Sequence, residues 1–180
     1  MSVGFFLWSM TMFDGKVFGL CGKTIASLRR NVLGTLKNQL RARGYTATER
    51  RADNLLVVTK GSKVNMFYIF GGKDESSQDL IQGITLAGVL FDEVALMPES
   101  FVNQATARCS VEGSKFWFNC NPGSVTHWFY QGWVLKCRKR KLLYLHFTME
   151  DNLTLSEETK ARYRSQYSGV FYKRYILGQW

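Results

Sequence analysis

Residues 88–93, Gly88-Val89-Leu90-Phe91-Asp92-Glu93, are the stretch that decides the fold of this 180-residue chain. Four uncharged residues, three of them strongly apolar, run directly into two adjacent carboxylates. An apolar run this short is typical of a strand buried on both faces within a parallel sheet. Carboxylates are rarely buried without a partner, so we expect Asp92 and Glu93 to lie where the strand ends in a crevice. Ligands of open α/β sheets bind at that end of the strands.

Two interpretations of the Asp92-Glu93 pair fit the sequence. In a Walker B strand the first carboxylate holds Mg²⁺, and a following glutamate orients or deprotonates a water molecule. The alternative is a strand that leaves the core at Asp92 and has no catalytic role. The six residues alone do not separate these interpretations.

Composition and charge limit the classes of partner. Hydrophobic residues make up 46% of the chain and only two residues are Pro, which is typical of a folded domain. The length suits one domain with a sizeable core. The 24 Lys and Arg against 14 Asp and Glu give a net charge of +10, which favours a polyanionic partner, nucleic acid above all. A basic surface without such a partner is the alternative.

The four cysteines are far apart in the sequence and show no C-x-x-C spacing. We therefore predict neither a zinc site nor a disulfide framework, and this composition fits a reducing cytoplasm. The residues concerned are Cys21, Cys109, Cys120 and Cys137.

The N-terminal segment, residues 2–13, is rich in Phe, Met, Leu and Trp. It lacks a basic n-region and a small-residue cleavage site, and it is too short to span a bilayer. We predict a buried helix, and we expect a further segment to precede it. The residues that indicate this helix are Phe5, Phe6, Trp8, Ser9, Met12 and Phe13. Asp14-Gly15 then turns the chain into a strand over residues 17–21.

Gly22-Lys23-Thr24 invites comparison with a phosphate-binding loop. Such a loop requires G-x-x-x-x-G-K-[ST], so that successive backbone N–H groups wrap the phosphates. The first glycine would stand at position 17, which is Val17, and residues 18–21 are predicted to be strand. A strand-to-helix turn is therefore the preferred interpretation.

The periodicity predicts further elements on both sides of the Asp92-Glu93 strand. A helix with one basic face is expected over residues 25–43, with Gly44 as its stop. A β-hairpin is expected from strands 55–59 and 64–70, and a single helical turn over 76–82. Pro98 marks the start of a helix whose inner face is expected to include Phe101, Val102, Ala105 and Cys109.

A strand over residues 115–120 ends in Asn119-Cys120-Asn121-Pro122-Gly123-Ser124. An asparagine at the carboxyl end of a strand beside a Walker B strand can hydrogen-bond a γ-phosphate or an attacking water. The alternative is an Asn-Pro-Gly turn that is needed only for its backbone geometry.

The most concentrated basic patch follows four aromatic residues between positions 128 and 133. It is the best candidate for phosphate contact, although a solvated turn fits equally well. Its basic residues are Lys136, Arg138, Lys139, Arg140 and Lys141. Beyond it we predict a strand over 142–147, a capped helix that begins at Ser156 and an aromatic helix over 170–177.

Four segments together resemble the large subunit of tailed-phage terminases, in the PBSX-like group. They are LFDEVALMPESF, FWFNCNPGSVTHWFY, LHFTMEDNLTL and RYILGQW. The resemblance runs from Val17 to Trp180. It implies an α/β fold of the P-loop NTPase-like (ASCE) type, a mostly parallel sheet flanked by helices with a β-hairpin insertion. It also implies an ATPase that drives double-stranded DNA into a procapsid, joined in the family to a nuclease domain.

The resemblance implies roles for individual residues. Asp92 would bind Mg²⁺, Glu93 would be the catalytic glutamate, and the segment that includes Asn119 and Asn121 would sense the γ-phosphate. The implied cofactors are ATP and Mg²⁺. The implied partners are double-stranded DNA, a portal protein, the small terminase subunit and further copies in a ring, in the bacterial cytoplasm at the procapsid portal and not at a membrane.

The chain departs from the family pattern at both ends. The family's Walker A loop and its strand would precede the helix that begins at Met1, and the nuclease carboxylates would follow Trp180. We therefore expect residues 1–180 to form a single terminase ATPase-like domain that is incomplete, truncated at its N-terminus and inactive alone. The alternative is a catalytically silent, NTPase-like module from a prophage remnant that binds DNA or a partner.

Overall fold

A six-stranded sheet forms the centre of residues 1–119. The Asp92-Glu93 pair directly follows one of its strands. The computed structural model describes all 180 residues, which divide into a first unit, residues 1–119, and a second unit, residues 120–180. The sheet order is β2-β3-β4-β1-β5-β6. The strands are β1 (Val17–Gly22), β2 (Thr46–Arg50), β3 (Leu55–Lys60), β4 (Lys63–Gly71), β5 (Gly88–Phe91) and β6 (Lys115–Phe118).

The strands β4, β1, β5 and β6 are parallel, whereas β2, β3 and β4 form an antiparallel meander. All four residues of β5 are buried, because β5 has a parallel neighbour on each side. The predicted α/β fold and the hairpin of β3 and β4 are thus confirmed. Strand β2 was not predicted, because its sequence TATER is too polar to show a strand pattern.

The first helix, α1 (Ser2–Met12), supplies much of the core of the first unit. The ring of Phe6 stacks on Phe67 of β4 with centroids 4.3 Å apart. The indole of Trp8 lies over the start of β5, because Gly88 has no side chain; an added Cβ there would stand 2.9 Å from that ring. The predicted buried helix is confirmed, but two residues were placed wrongly. Met12 is 65% exposed at the end of the helix, and Phe13 lies beyond that end with an extended backbone.

The predicted helix over residues 25–43 is a continuous helical segment with an irregular middle. It consists of α2 (Ile25–Leu28), a π turn (Arg29–Leu33) and α3 (Gly34–Arg41). Gly44, with φ of +76°, ends it as predicted. The basic face is partly neutralised, because Arg29 and Lys37 both bind the carboxylate of Glu49 on β2, at 2.7 and 2.8 Å.

The remaining helical elements of the first unit flank β5 in the sequence. A 3₁₀ helix (Glu75–Ile81) precedes it, and a short 3₁₀ turn (Val94–Leu96) and α4 (Glu99–Ala107) follow. Phe101, Val102 and Ala105 of α4 are buried as predicted. Cys109 lies beyond the end of α4 and is only half-buried, so its place on the inner face of the helix was wrong.

The second unit contains a π turn (Tyr130–Val134), a 3₁₀ turn (Met149–Asp151), α5 (Glu157–Gln166) and α6 (Gly169–Tyr175). The hydroxyl of Ser156 accepts the N–H of Thr159, which confirms the predicted cap of α5. No helix in either unit has both the length and the apolar content to cross a bilayer.

The strand predicted over residues 142–147 is wrong. Residues 142–148 run without a helix, turn or bend, but they pair with no other strand. Leu143, Leu145 and Phe147 are 85%, 62% and 66% exposed. The apolar pattern correctly indicated a segment without helix or turn. A β-strand also requires a hydrogen-bonded neighbour, and no strand of this chain pairs with the segment.

Candidate functional site

The Asp92-Glu93 pair lies where the buried strand β5 ends between two parallel neighbours. The backbone N–H of Asp92 donates to the carbonyl of Cys21, at the end of β1, at 2.8 Å. On the other side the N–H of Asn119 donates to Phe91, and the carbonyl of Asn119 accepts the N–H of Val94. The ends of β1, β5 and β6 are thus joined at the two carboxylates.

The side chain of Asn119 braces both acidic residues. Its Nδ2 donates to Oδ1 of Asp92 at 2.9 Å, and its Oδ1 accepts the backbone N–H of Glu93 at 2.6 Å. Only one orientation of the amide makes both bonds, because the carboxylate needs a donor and the N–H needs an acceptor. Asn119 therefore fixes Asp92 and Glu93 relative to each other.

Glu93 has a left-handed backbone, with φ of 60° and ψ of 50°. This conformation costs an L-residue roughly 1–2 kcal/mol. Such strain persists where the surroundings impose it, and it concentrates at functional sites. Here the bonds of Asn119 and the 3₁₀ turn from Val94 hold it.

A cavity of about 360 Å³ lies beside Asp92. Its walls include the first residues of α1 and three uncharged polar side chains of the segment with the π turn, Asn31, Thr35 and Gln39. These three residues were missed in the sequence. These residues recur at every fourth position, which places them on one face of the helical segment. The spacing did not identify a site, because polar residues on the outer face of a helix are usually only solvated.

Gly22-Lys23-Thr24 forms the strand-to-helix turn that the sequence favoured. The hydroxyl of Thr24 accepts the N–H of Ser27 at 3.0 Å, while Ser27 Oγ accepts the N–H of Thr24 at 3.2 Å. These side chains cap α2 and occupy N–H groups that a phosphate loop would present to its ligand. The ammonium of Lys23 donates to the carbonyl of Lys73 at 2.7 Å.

The other predicted site residues belong to the second unit. Asn121 is exposed in the loop that begins that unit. Lys136, Arg138, Lys139, Arg140 and Lys141 are all exposed in the turns after the π turn. Arg140 is anchored, because its guanidinium lies 4.2 Å from the ring centroid of Trp133 and its Nε donates to the carbonyl of Gly132 at 2.8 Å.

The chemistry of the Asp92 donor set fits Mg²⁺. No group of three or more His, Cys, Asp or Glu side chains gathers to hold an ion. Mg²⁺ commonly takes only one or two carboxylates and completes its shell with water and substrate phosphates. Oδ1 of Asp92 accepts a hydrogen bond from Asn119, and the carboxylate of Asp92 would hold the metal.

The thiols of Cys21 and Cys109 are neutral at physiological pH. Burial raises the pKa of Cys109 to about 12, and burial together with the nearby Cys109 raises the pKa of Cys21 well above its usual value. No disulfide joins any of the four cysteines. Because the thiolate is the reactive form of cysteine, Cys21 and Cys109 are poor nucleophiles.

The comparison with protein families agrees with this arrangement. Residues 4–180 match the model of the terminase large subunit, T4likevirus-type, N-terminal. The chain belongs to the terminase large subunit family. The resemblance found in the sequence is therefore confirmed.

Solved structures extend the match. The terminase chain superimposes over its whole length on the large terminase of a thermophilic bacteriophage, with a TM-score of 0.95 and 61% identity. A structure of that bacteriophage's large terminase in complex with ADP gives the same TM-score at 59% identity. The chain spans only 44% of the length of those two terminase chains.

A more distant structure supports the fold. The ATPase domain of the large terminase of Thermus phage P74-26 is 15% identical, with a TM-score of 0.68, over 99% of this chain and 82% of that domain. No curated protein sequence matches the chain.

Proposed function

We propose that this terminase chain, residues 1–180, is an ATPase-like domain of the motor that drives double-stranded viral DNA into procapsids. The observation that carries the proposal is the Asp92-Glu93 pair, which Asn119 braces at the end of a buried parallel strand. The large terminase of the thermophilic bacteriophage, of which a structure with ADP exists, supports nucleotide as the ligand.

Each residue of the pair has a separate task in this proposal. Asp92 would hold Mg²⁺. The bound ion would neutralise the charge that develops on the phosphates. The carboxylate of Glu93 accepts a proton from the attacking water as a general base. Asn119 is a positioning residue, because it contacts both acidic residues and holds the strained peptide at Glu93.

The proposed partners follow from the same motor. They are double-stranded DNA, the portal protein, the small terminase subunit and further copies of the chain in a ring, in the bacterial cytoplasm at the procapsid portal. The net charge of +10 supports the DNA contact. In this proposal Asn121 transmits the state of the γ-phosphate to the DNA-moving parts.

A second candidate function is a catalytically silent NTPase-like module that binds DNA or a packaging partner. One observation favours it. In the Gly22-Lys23-Thr24 turn, the N–H of Thr24 donates to Ser27 Oγ within a helix cap and is not presented to a phosphate. This candidate predicts the same DNA binding as the first but no ATP hydrolysis.

The test uses a polypeptide in which a strand and a G-x-x-x-x-G-K-[ST] loop are joined ahead of Met1. We expect Mg²⁺-dependent ATP hydrolysis in a steady-state phosphate-release assay. Glu93→Gln should lower turnover by about 10²–10⁴-fold, the usual contribution of a general base, and leave ATP binding nearly intact. Asp92→Asn should instead weaken the use of Mg²⁺·ATP. Asn121→Ala should impair DNA movement more than hydrolysis.

Two outcomes would contradict the proposal. If Glu93→Gln hydrolyses ATP at the parent rate, Glu93 is structural and another group activates the water. If the joined polypeptide binds ATP and DNA but shows no turnover, the silent module is the correct function.

A further inference from the structure

The segment from Arg162 to Tyr175 is both aromatic and basic. Its 14 residues include five aromatic side chains and four Lys or Arg, but no Asp or Glu. It covers the second half of α5 and the whole of α6. Basic residues interleaved with aromatic ones are typical of surfaces that bind nucleic acid. The proposed ATPase chemistry gives this segment no task.

Four aromatic rings form a continuous row on α5 and α6, which we call the aromatic row. Tyr163 and Tyr167 are four residues apart, as are Phe171 and Tyr175, so each pair lies along one helix face. The ring centroids are 6.2 Å apart in the first pair and 6.0 Å apart in the second. Tyr167 also contacts Tyr175, at 5.4 Å, and this contact joins the two pairs.

The end of the aromatic row on α6 faces solvent. Phe171 and Tyr175 are 57% and 50% exposed, and their ring planes lie within 12° of parallel. A single exposed aromatic residue is common on protein surfaces, whereas adjacent exposed apolar groups often mark a binding surface. Two nearly parallel rings offer flat π faces on which another planar group can stack.

The charges beside the aromatic row suit an anionic ligand. The guanidinium of Arg162 lies 5.4 Å from the ring centroid of Tyr163, and Lys173 and Arg174 stand in the last turn of α6. None of these three cations forms an ion pair with a carboxylate, and residues 159–180 contain no Asp or Glu. Burial against a neutral apolar surface would leave these charges without partners, whereas a phosphate backbone would neutralise them.

Planar rings together with phosphates are the chemistry of nucleic acid, and the rings are accessible where bases are unpaired. In a duplex the bases stack on one another, but a single strand can place its bases on aromatic side chains. The basic turn at residues 136–141 contains no aromatic residue, so it can contact phosphates but cannot stack on bases. The second unit therefore has two basic surfaces of different chemistry.

We propose that the aromatic row binds unpaired bases of single-stranded DNA, such as a frayed duplex end. Phe171 and Tyr175 are the stacking residues, and Arg162, Lys173 and Arg174 contact the phosphates. The choice of DNA rests on the proposed function, but the stacking does not depend on ATP or on the Asp92-Glu93 pair. Binding is measured without nucleotide, so a failure here leaves the catalytic roles untouched.

Fluorescence anisotropy with two labelled strands tests whether bases are bound. The full chain is titrated into oligothymidylate and into an abasic strand of the same length, at about 200 mM salt to weaken contacts that are only electrostatic. We expect clearly tighter binding of oligothymidylate, because the abasic strand has the same phosphates but no bases. Equal affinity for the two strands, or no binding of either, would overturn the proposal and leave the aromatic row as a surface for another polypeptide.

Variants at Phe171 separate stacking from apolar contact. Phe171→Ala should weaken binding of oligothymidylate by roughly 5- to 150-fold, the usual effect of losing one stacked base, and leave binding of the abasic strand unchanged. Phe171→Leu should lose as much, because leucine keeps the apolar volume but has no ring, whereas Phe171→Trp should bind as the parent does.

Phe147→Ala is the matched control, because Phe147 is another exposed phenylalanine of the second unit, 66% exposed and outside the aromatic row. It should keep the parent affinity for both strands. If Phe171→Leu binds oligothymidylate as tightly as the parent does, stacking is not the contact and the proposal is wrong. An equal loss in Phe147→Ala and Phe171→Ala would contradict the assignment of the site to the aromatic row.

Discussion

At the residue scale, Glu93 combines strain with a proposed catalytic role. Its left-handed backbone is held by the bond to Asn119 and by the turn that follows. A glycine would adopt this conformation at no steric cost. That a glutamate stands there instead is consistent with a task for its carboxylate that outweighs the lost stability.

The strain can be measured with a matched pair of variants. Glu93→Gly and Glu93→Ala both remove the carboxylate and keep the backbone bond to Asn119, but only alanine retains the steric cost. We expect the glycine variant to have the higher free energy of unfolding, by about 1 kcal/mol. Urea denaturation at pH 7 gives this difference. A glycine variant less stable than the alanine variant would show that the peptide at Glu93 is not strained.

At the element scale, Glu49 joins the helix with the π turn to the edge strand β2. Its side chain is 6% exposed, and its carboxylate accepts hydrogen bonds from Arg29, the first residue of the π turn, and from Lys37, which follows the turn. Desolvation raises the pKa of Glu49, but the bonds and charges of Lys37 and Arg29 outweigh it, so the net pKa lies below the usual value.

The lowered pKa of Glu49 predicts a pH-dependent stability. A carboxyl whose pKa is depressed by folding stabilises the fold above its unfolded pKa, about 4.3, and loses that contribution as the pH falls through the folded value. Glu49→Gln should therefore lower the free energy of unfolding at pH 7, by about 1–3 kcal/mol, and by less near pH 3. Urea midpoints at both pH values test this. Glu112→Gln, at an exposed carboxyl, is the control and should change neither midpoint appreciably. An equal effect of Glu49→Gln at both pH values would contradict the assignment.

Some of the secondary-structure elements could be predicted from the sequence, and others could not. Strand β5 and helix α4 were predictable, because their apolar periodicity reports burial directly. Strand β2 was not, because its stability comes from its pairing with β3 and from Glu49, which local sequence does not encode. The π turn and the brace of Asn119 likewise depend on contacts between distant residues. The prediction of a strand over 142–147 failed for the opposite reason, since the segment has the apolar pattern of a strand but pairs with no strand of the chain.

At the scale of the whole molecule, the distribution of charge is uneven. The second unit is about a third of the chain but holds 10 of the 24 Lys and Arg and only four of the 14 Asp and Glu. Five of these basic residues lie within positions 136–141, all exposed. The strongest electrostatic attraction for a polyanion is therefore expected at this turn.

Nucleotide binding by the 180-residue chain should be weak. A carboxylate that holds Mg²⁺ acts on phosphates which a phosphate loop keeps in place, and the chain has no such sequence. We expect little heat of ATP binding in calorimetry and no Mg²⁺-dependent release of phosphate. Hydrolysis by the pure chain that disappears in Glu93→Gln would overturn this prediction and make Gly22-Lys23-Thr24 a working phosphate loop.

Binding of duplex DNA should depend on charge and be independent of sequence. Each neutralised phosphate releases counterions, so affinity should fall steeply between about 50 and 200 mM salt. Replacement of Arg138, Lys139, Arg140 and Lys141 by Ala should weaken binding and reduce the slope of log K against log salt by as much as about 0.9 per lost contact. The control removes the same charge from exposed sites in the first unit, with Arg30, Arg41, Arg50 and Lys73 replaced by Ala. Fluorescence anisotropy with a labelled duplex measures both. If the two quadruple variants lose the same affinity, the net charge of the chain and not the turn at 136–141 determines DNA binding. An affinity that does not change with salt concentration would exclude phosphate contacts altogether.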